Sequence, residues 1–261
     1  MKISIIQADL IWENISQNLQ KFDRLIAQVD DDVEIIILPE MFSTGFTMNI
    51  DAFEKPLGKI SFEWLRNKAS ATGKIVVGSI LIEEEGNYYN RMYWMYPDGQ
   101  FAFYDKRHLF HQGGEDKVMT AGNKSVIVNH KGIKFMLQIC YDLRFPATVR
   151  NSYNKAADSY DYDAIIYIAN WPELRRHAYL SLLKARAIEN QSYVIWLNRV
   201  GADNKKIAHS GDSQLLDAYG NIVAQAKPHQ EEVLHFSIDK SSLDVFRKQF
   251  QVALDWDRIN K

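Results

Sequence analysis

The sequence predicts an α/β fold, and more specifically a four-layer α-β-β-α sandwich of two mixed sheets. Apolar runs rich in Ile and Val recur along the chain, and helical stretches separate them, which is the pattern of buried strands joined by helices. Turn-forming segments also join neighbouring runs directly, so antiparallel hairpins are expected beside the parallel pairs. The predicted buried strands cover residues 3–10, 33–38, 75–82, 133–139, 164–169 and 193–197.

Three helices are predicted from apolar residues that recur at steps of three and four. The third of them spans residues 173–190. The apolar faces are Ile15, Leu19, Phe22, Ile26 and Val29 in the first helix, Phe62, Leu65 and Ala69 in the second, and Leu180, Leu183, Ala187 and Ile188 in the third.

Hairpins account for the remaining strands. Turns are predicted at residues 97–99, 129–132 and 217–221, where Gly, Pro, Asn and Asp cluster. The paired strands are residues 91–96 with 101–104, 126–128 with 133–139, and 213–216 with 222–226, followed by a last strand at residues 233–238.

Composition and charge exclude several classes of protein. The chain has 261 residues, is 46% hydrophobic and 25% charged, and contains no linker-like tract, so one domain over residues 1–261 is expected. A net charge of -2 with scattered Lys and Arg predicts no nucleic-acid partner. No apolar run approaches the about 20 residues that cross a bilayer, and no signal peptide is recognisable at the start of the chain, so no membrane association and a cytoplasmic location are expected.

Three chemically active side chains each follow a predicted strand. Cys140 follows residues 133–139, Glu40 comes just after residues 33–38 and Pro39, and Lys106 comes just after residues 101–104. Taken singly, each has an ordinary explanation: a small buried hydrophobe for the chain's one cysteine, and solvated loop residues for the other two. Together, a carboxylate, an ammonium and a thiol at strand ends supply a base, a cation and a nucleophile for one cleft.

In the local context of these residues the chain resembles the nitrilase superfamily of carbon-nitrogen hydrolases. Residues 38–42 read Leu-Pro-Glu-Met-Phe, residues 104–110 read Tyr-Asp-Lys-Arg-His-Leu-Phe, and residues 140–146 read Cys-Tyr-Asp-Leu-Arg-Phe-Pro. The order and context of Glu40, Lys106 and Cys140 match the signature of the superfamily. The closest likeness is to the bacterial omega-amidases, which hydrolyse 2-oxoglutaramate and related 2-oxo acid amides; residues 170–172, 185–191, 198–201 and the tail around 254–255 carry it.

The resemblance implies a mechanism that needs no metal and no organic cofactor. Cys140 attacks the amide to form a thioester, Glu40 serves as base and acid, and Lys106 with the backbone N–H of Tyr141 stabilises the oxyanion. Glu115 matches the second glutamate of the superfamily, which orients the lysine and the substrate. The resemblance also implies a homodimer. His108, His111 and His177 fit no usual metal-ligand spacing and are interpreted as surface residues.

Substrate-binding candidates follow from the chemistry of a 2-oxo acid amide, a small molecule that reacts with water. Its carboxylate needs a binding partner, and a guanidinium can bind a carboxylate with two hydrogen bonds. Arg144, Arg175 or Arg176 can supply this group. Arg144 is favoured as a packing and salt-bridge residue beside Asp142. The pocket wall is assigned to the loop of Asn170 and Trp171, and an apolar side to Phe42 and Phe46, for which core packing is the alternative.

Two rival functions stay open at this point. One is another hydrolase of the same superfamily, acting on a nitrile, a carbamoyl amine such as carbamoylputrescine, or a peptide amide such as deaminated glutathione. The other is a catalytically silent scaffold or binding module that keeps the fold. The joint presence of Glu40, Lys106 and Cys140 disfavours the scaffold.

Overall fold

A computed structural model describes residues 1–256 of the chain. The helices are α1 (Ile15–Ile26), α2 (Lys59–Thr72), α3 (Pro146–Val149), α4 (Arg176–Asn190) and α5 (Lys240–Gln249). The strands are β1 (Lys2–Gln7), β2 (Ile35–Ile37), β3 (Ile75–Glu84), β4 (Asn87–Met95), β5 (Phe101–Asp105), β6 (Ile127–His130), β7 (Ile133–Ile139), β8 (Tyr153–Asn154), β9 (Ser159–Tyr160), β10 (Ala164–Ala169), β11 (Tyr193–Asn198), β12 (Val200–Ala202), β13 (Ala208–Ser210), β14 (Gln214–Leu216), β15 (Ile222–Gln225) and β16 (Glu232–Ser237).

The longer strands of the described chain form two six-stranded sheets. The first has the order β16-β1-β2-β3-β4-β5, and β1, β2 and β3 are parallel within it. The second has the order β15-β14-β11-β10-β7-β6, and β7, β10 and β11 are parallel. The outer strands of both sheets pair antiparallel. Both sheets are therefore mixed, as predicted.

The two sheets pack face to face through alternate side chains of their strands. Ile3 and Ile5 of β1 belong to the same buried cluster as Phe135 and Leu137 of β7. The ring of Trp94 on β4 lies 5.3 Å from the ring of Phe135, across the interface between the sheets. Because strand side chains alternate between faces, the opposite faces remain for the helices.

Helices cover the outer face of each sheet and complete the four layers. Phe22 of α1 and Leu65 of α2 pack in one cluster with Ile36 of β2. On the second sheet, Leu183 and Ala187 of α4 are fully buried in the main core. The α-β-β-α arrangement predicted from the sequence is confirmed.

Several predicted boundaries differ from the structure for local physical reasons. β1 ends at Gln7 instead of residue 10, because the backbone of Ala8 and Asp9 pairs instead with Val200, the first residue of β12. The hairpin strand before the turn is β6, Ile127–His130, instead of residues 126–128. The predicted helix over residues 173–190 begins with a 3₁₀ turn, Glu173–Arg175, and Ile188 on its predicted apolar face is 54% exposed.

Among residues 1–256, no helix combines the length and the apolar character needed to cross a membrane.

Replacing Leu137 with Ala tests the importance of the core between the sheets. The side chain of Leu137 is fully buried, so its loss leaves a cavity that lowers the free energy of unfolding by about 2–5 kcal/mol. Urea denaturation followed by circular dichroism measures this. Ile60→Ala is the matched control, because Ile60 is 54% exposed on α2, and its effect is expected to stay within about 0.5 kcal/mol. Equal effects of the two substitutions would contradict the packing described here.

Candidate active site

Polar side chains gather at one edge of the sandwich, where parallel strands end. Cys140 directly follows β7, Asn170 follows β10 and Arg199 follows β11, and these three strands are neighbours in the second sheet. Glu40 comes shortly after β2 in the facing sheet. The carboxyl ends of parallel strands thus bring residues distant in sequence to one cleft.

Cys140 occupies a sharp turn between β7 and a 3₁₀ helix that spans Cys140–Arg144. Its φ of 46° lies in the left-handed region, which side chains with a Cβ rarely adopt and which often marks functional residues. The residue is 8% exposed and lines a cavity. Burial, and then the neighbouring carboxylate of Glu40, raise the pKa of the thiol well above its usual range. Cys140 is therefore a protonated thiol at neutral pH.

The carboxylate of Glu40 is completely buried, and both of its oxygens have hydrogen-bond donors. Oε1 accepts from Asn90 Nδ2 at 2.8 Å and from Lys106 Nζ at 2.9 Å. Oε2 accepts from the backbone N–H of Asn170 at 2.7 Å, and the Asn170 side chain donates to the backbone carbonyl of Glu40 at 2.5 Å. These bonds fix the carboxylate beside Cys140.

Lys106 lies between two carboxylates. Its Nζ contacts Glu40 Oε1 at 2.9 Å and the two oxygens of Glu115 at 2.8 and 3.0 Å, with all three side chains out of solvent. Glu115 also accepts from the backbone N–H of Phe110 at 2.6 Å and from Asn90 at 3.3 Å. The side chain of Asn90 therefore joins the two glutamates.

The protonation of this cluster follows from burial and charge. Burial alone would lower the pKa of Lys106, but the carboxylates of Glu115 and then Glu40 outweigh it, so the pKa of Lys106 is raised and the amine is an ammonium. Burial raises the pKa of Glu115, and the charge of Lys106 opposes this in part. Two carboxyl groups thus surround one ammonium.

A buried aspartate ties the cysteine segment to the lysine segment. Asp142 Oδ2 accepts from the Tyr104 hydroxyl at 2.8 Å and from the backbone N–H of Ile139 at 3.0 Å. Oδ1 accepts from the backbone N–H of His108 at 3.0 Å and contacts His108 Nδ1 at 2.7 Å. Asp142 thus binds both Ile139, just before Cys140, and His108, shortly after Lys106, and holds the two segments together.

A cavity of about 790 Å³ opens in front of these residues. Of the residues proposed from the sequence, it is lined by Phe46, Lys106, Cys140, Tyr141, Arg144, Asn170, Trp171 and Arg175. The backbone N–H of Tyr141 lies in the first turn of the 3₁₀ helix, where N–H groups have no partner within the helix. Glu40 and Glu115 lie behind this wall, fully buried.

Two sequence-predicted binding residues do not line the cavity. Phe42 is fully buried, and its ring packs against Phe22 at 5.4 Å and Trp64 at 5.5 Å, in the layer between the first sheet and its helices. Core packing, the alternative given for Phe42, is thus what the structure shows. Arg176 instead forms a bidentate ion pair with Asp212, in which Nη2 donates to Oδ1 at 2.6 Å and Nε donates to Oδ2 at 2.9 Å.

Arg144 is not the salt-bridge partner of Asp142 that the sequence suggested. The hydrogen bonds of Asp142 come from other residues, and the Arg144 guanidinium stacks over the Trp171 ring at 4.9 Å, on the cavity wall. The interpretation of His108 as a surface residue is also wrong, because its side chain is only 19% exposed and stacks on Phe145 at 3.9 Å. His111 and His177 are exposed, as predicted.

Sequence reasoning missed Asn90, which bonds both glutamates, and Arg199 and His209, which line the cavity. Asn90 lies inside β4, without a local signal of function. Arg199 had a weak one, because it comes shortly after the apolar run 193–197 and lies in residues 198–201, a segment that carries the likeness to the omega-amidases. Across residues 1–256, no cluster of three or more His, Cys, Asp or Glu side chains has an arrangement that could hold a metal ion.

Known proteins resemble this chain over nearly its whole length. The model of the carbon-nitrogen hydrolase family matches residues 2–248. The chain belongs to the carbon-nitrogen hydrolase family. Among curated members, it is 38% identical to an omega-amidase, YafV, of Yersinia enterocolitica, over 99% of this chain and 98% of that protein. It is 32% identical to a 2-oxoglutaramate amidase of Bacillus subtilis, over 97% of this chain and 96% of that one.

Solved structures of the family share the fold. XC1258 from Xanthomonas campestris, a CN-hydrolase superfamily protein with an arsenic adduct in its active site, superposes with a TM-score of 0.95 at 35% identity, covering 100% of this chain and 98% of that one. Nit3 of Saccharomyces cerevisiae, a member of the nitrilase superfamily, gives a TM-score of 0.82 at 26% identity over 96% and 94% of the two chains. The resemblance to the nitrilase superfamily predicted from the sequence is confirmed.

Asp142→Asn tests the anchor between the two segments. An amide offers one acceptor oxygen in place of two and turns an NH₂ group toward donors, so the free energy of unfolding is expected to fall by about 1–3 kcal/mol. Chemical denaturation measures this. Asp51→Asn, at an exposed site on the surface, is the control and is expected to be neutral. An Asp142→Asn protein as stable as the control would show that these hydrogen bonds do not hold the segments together.

Proposed function

We propose that this carbon-nitrogen hydrolase cleaves the terminal amide of 2-oxo acid amides such as 2-oxoglutaramate, giving the 2-oxo acid and ammonia. The observation that carries the proposal is the buried contact set of Glu40, Lys106 and Glu115 beside the thiol of Cys140. The names of relatives at 32% and 38% identity, a 2-oxoglutaramate amidase and an omega-amidase, support the substrate class.

Glu40 starts the reaction as a base. Because the thiol of Cys140 rests protonated, its proton must leave as sulfur attacks the amide carbon, and the adjacent Glu40 carboxylate receives it. The C–N bond of the tetrahedral intermediate then breaks. Protonated Glu40 delivers the proton to the departing nitrogen, so ammonia leaves and the acyl group remains on Cys140 as a thioester.

The second half of the reaction repeats these steps with water. Glu40 takes a proton from a water molecule, the oxygen attacks the thioester carbonyl, and the C–S bond breaks. The proton returns to the sulfur as the acid leaves. Glu40 thus serves as base and acid in turn, and the site regains its resting protonation.

Lys106 and the backbone N–H of Tyr141 stabilise the oxyanion. Proton transfer from Cys140 to Glu40 moves the negative charge of Glu40 onto the substrate oxygen without changing the net charge of the site. Lys106 then exchanges one anionic partner for another, while Glu115 stays paired with it at 2.8 Å. We assign Glu115 the task of keeping Lys106 charged and in place; losing one oxyanion donor typically slows catalysis about 100- to 1000-fold.

The substrate carboxylate is bound by guanidinium groups of the cavity wall. Within the described chain, neither Arg144 nor Arg175 has a carboxylate partner; Arg144 stacks on Trp171 at 4.9 Å and Arg175 on Phe110 at 5.2 Å. A guanidinium stacked on an aromatic ring keeps its N–H edge available for a carboxylate. Phe46, Asn170 and Trp171 complete the wall around the carbon chain.

The whole chain is proposed to act as one cytoplasmic hydrolase domain that forms a homodimer. Exposed apolar side chains support the dimer: Ile188 of α4 is 54% exposed, Tyr219 58% and Phe250 59%. Tyr219 and Phe250 both pack against Phe246 of α5, and the Ile188 side chain lies beside Gly220, next to Tyr219, so these groups form one surface. Light scattering of the purified protein tests the dimer.

Ammonia release from a substrate panel tests the reaction. The expected order places 2-oxoglutaramate and 2-oxosuccinamate above glutamine, carbamoylputrescine, deaminated glutathione and simple nitriles. Cys140→Ala is expected to lower kcat by about 1000-fold or more, because no nucleophile remains. Glu40→Gln is expected to reduce activity severely for lack of a base, and Glu54→Gln, at an exposed position, to retain it.

Each rival function has its own outcome in this experiment. A clear preference for a nitrile, a carbamoyl amine or a peptide amide would replace the proposed substrate by another of the family. Ammonia release that survives in folded Cys140→Ala would refute the thioester mechanism. Absence of any hydrolysis in the wild-type protein would favour a silent scaffold. Circular dichroism of each variant separates loss of activity from loss of fold.

Arg144→Met and Arg175→Met test how the carboxylate is bound. Both variants are expected to raise KM for 2-oxoglutaramate about 10- to 100-fold, because a charge-assisted hydrogen bond is lost, and to leave a neutral amide such as butyramide unaffected. Steady-state kinetics on both amides measures this. Arg24→Met, at an exposed site on α1, is the control. An equal loss on both amides would mean that these arginines only shape the cavity.

A further inference from the structure

Two buried basic side chains line the cavity but have no part in the reaction described above. Arg199 is fully buried and His209 is 4% exposed, and both belong to the cavity wall. Each has a nitrogen without a hydrogen-bond partner, Nη1 in Arg199 and Nδ1 in His209. Buried polar atoms nearly always have partners, so unpartnered ones on the wall of a substrate cavity point to a ligand.

Arg199 is held firmly in place by its other nitrogens. Nη2 donates to Asp9 Oδ1 at 2.7 Å and to the backbone carbonyls of Ala202 and Leu10 at 3.0 and 3.2 Å. Nε donates to the carbonyl of Val200 at 2.9 Å. The guanidinium is therefore a fixed part of the wall, and with no exposed surface of its own it can affect a ligand only through neighbouring groups.

His209 is such a group. It lies on β13, which pairs with β12 directly after Arg199. Burial, and then the positive charge of Arg199, lower the pKa of His209 to about 4, so the imidazole is neutral at physiological pH. A neutral imidazole carries one N–H donor and one acceptor nitrogen. It can therefore donate a hydrogen bond to a carbonyl oxygen, but it carries no positive charge that would pair with a carboxylate.

The position along the sheet edge of Arg199, which directly precedes the strand that pairs with the strand of His209, fits the far part of a short amide acid. The backbone N–H of Arg199 bonds to the carbonyl of Ala169, so Arg199 lies beside Asn170, and Cys140 lies one strand further on. Two strand spacings amount to about 10 Å. In 2-oxoglutaramate the 2-oxo oxygen lies about 5 Å from the amide carbon when the chain is extended, which leaves room for the bond to sulfur and a hydrogen bond.

We propose that His209, which lies beside Arg199, donates a hydrogen bond to the 2-oxo oxygen of the substrate and so makes the enzyme select 2-oxo acid amides. The inference rests on the proposed function and adds a residue that recognises the 2-oxo group on the carbon next to the carboxylate. Arg144 and Arg175 bind the carboxylate, which every amide acid of this length has. His209 recognises the oxygen that distinguishes 2-oxoglutaramate from glutaramate, the same amide acid without the 2-oxo group.

The test compares kcat/KM for 2-oxoglutaramate and glutaramate in the wild type and in His209→Leu. The wild type is expected to prefer 2-oxoglutaramate. In His209→Leu, kcat/KM for 2-oxoglutaramate is expected to fall about 10- to 100-fold, mainly through KM, as for a lost hydrogen bond to the substrate. Glutaramate hydrolysis is expected to stay within about threefold of the wild-type rate, because the catalytic residues are untouched.

Two further variants separate recognition from structure. His209→Asn keeps a neutral donor and is expected to restore part of the preference for 2-oxoglutaramate. His177→Leu, an exposed histidine on α4, is the matched control and is expected to keep both rates. Thermal unfolding of each variant confirms that the compared proteins are folded.

Other outcomes would overturn the inference. If His209→Leu loses activity equally on both amides, or on neither, His209 does not read the 2-oxo group. If the wild type hydrolyses glutaramate as well as 2-oxoglutaramate, the proposed substrate class fails, and the inference fails with it. Wild-type kinetics alone reveal the second failure, so the two are distinguishable.

Discussion

The ammonium of Lys106, buried between the carboxylates of Glu40 and Glu115, is the interaction on which the site depends. An isolated charge in such an interior costs several kcal/mol, so each member persists only while the others are present. The oxygens of the two glutamates also accept from donors of three other segments: Asn90 in β4, the N–H of Asn170 after β10 and the N–H of Phe110. The buried charges are therefore stable only where the fold brings these segments together.

A second constraint fixes the nucleophile relative to this cluster. Cys140 adopts a left-handed backbone conformation that local interactions alone would not hold. The short 3₁₀ helix that follows is secured through Asp142, which also holds Tyr104 and His108 on either side of Lys106. The contacts of Asp142 thus stabilise the turn. Asp142 contacts neither the sulfur of Cys140 nor the ammonium of Lys106, but it fixes the segments that carry them relative to each other.

The sequence predicts the parts of this protein whose signals are local. Strand periodicity and helix faces give the layers, and Glu40, Lys106 and Cys140 stand out together because each follows a predicted strand in a motif that resembles the nitrilase superfamily. Contacts between distant segments leave no such signal. Asn90 meets Glu40 across 50 positions of sequence, and nothing in its own strand indicates this. Arg144 was assigned to Asp142 by proximity in sequence, but residues two apart on a helical turn face different directions. Phe42 and Phe46 look alike in sequence, and only the packed helices of the first sheet decide that Phe42 enters the core.

The protonated state of Cys140 has a consequence for the chemical durability of the enzyme. Peroxides and other oxidants attack thiolates and react slowly with thiols. Burial and the nearby Glu40 keep the sulfur in the thiol form until an amide is bound and the proton can move. The chain has one cysteine, so no second thiol of the same chain can trap an oxidised nucleophile as an internal disulfide. The same electrostatics that delays ionisation until the substrate arrives therefore also shields the sulfur from irreversible oxidation between turnovers.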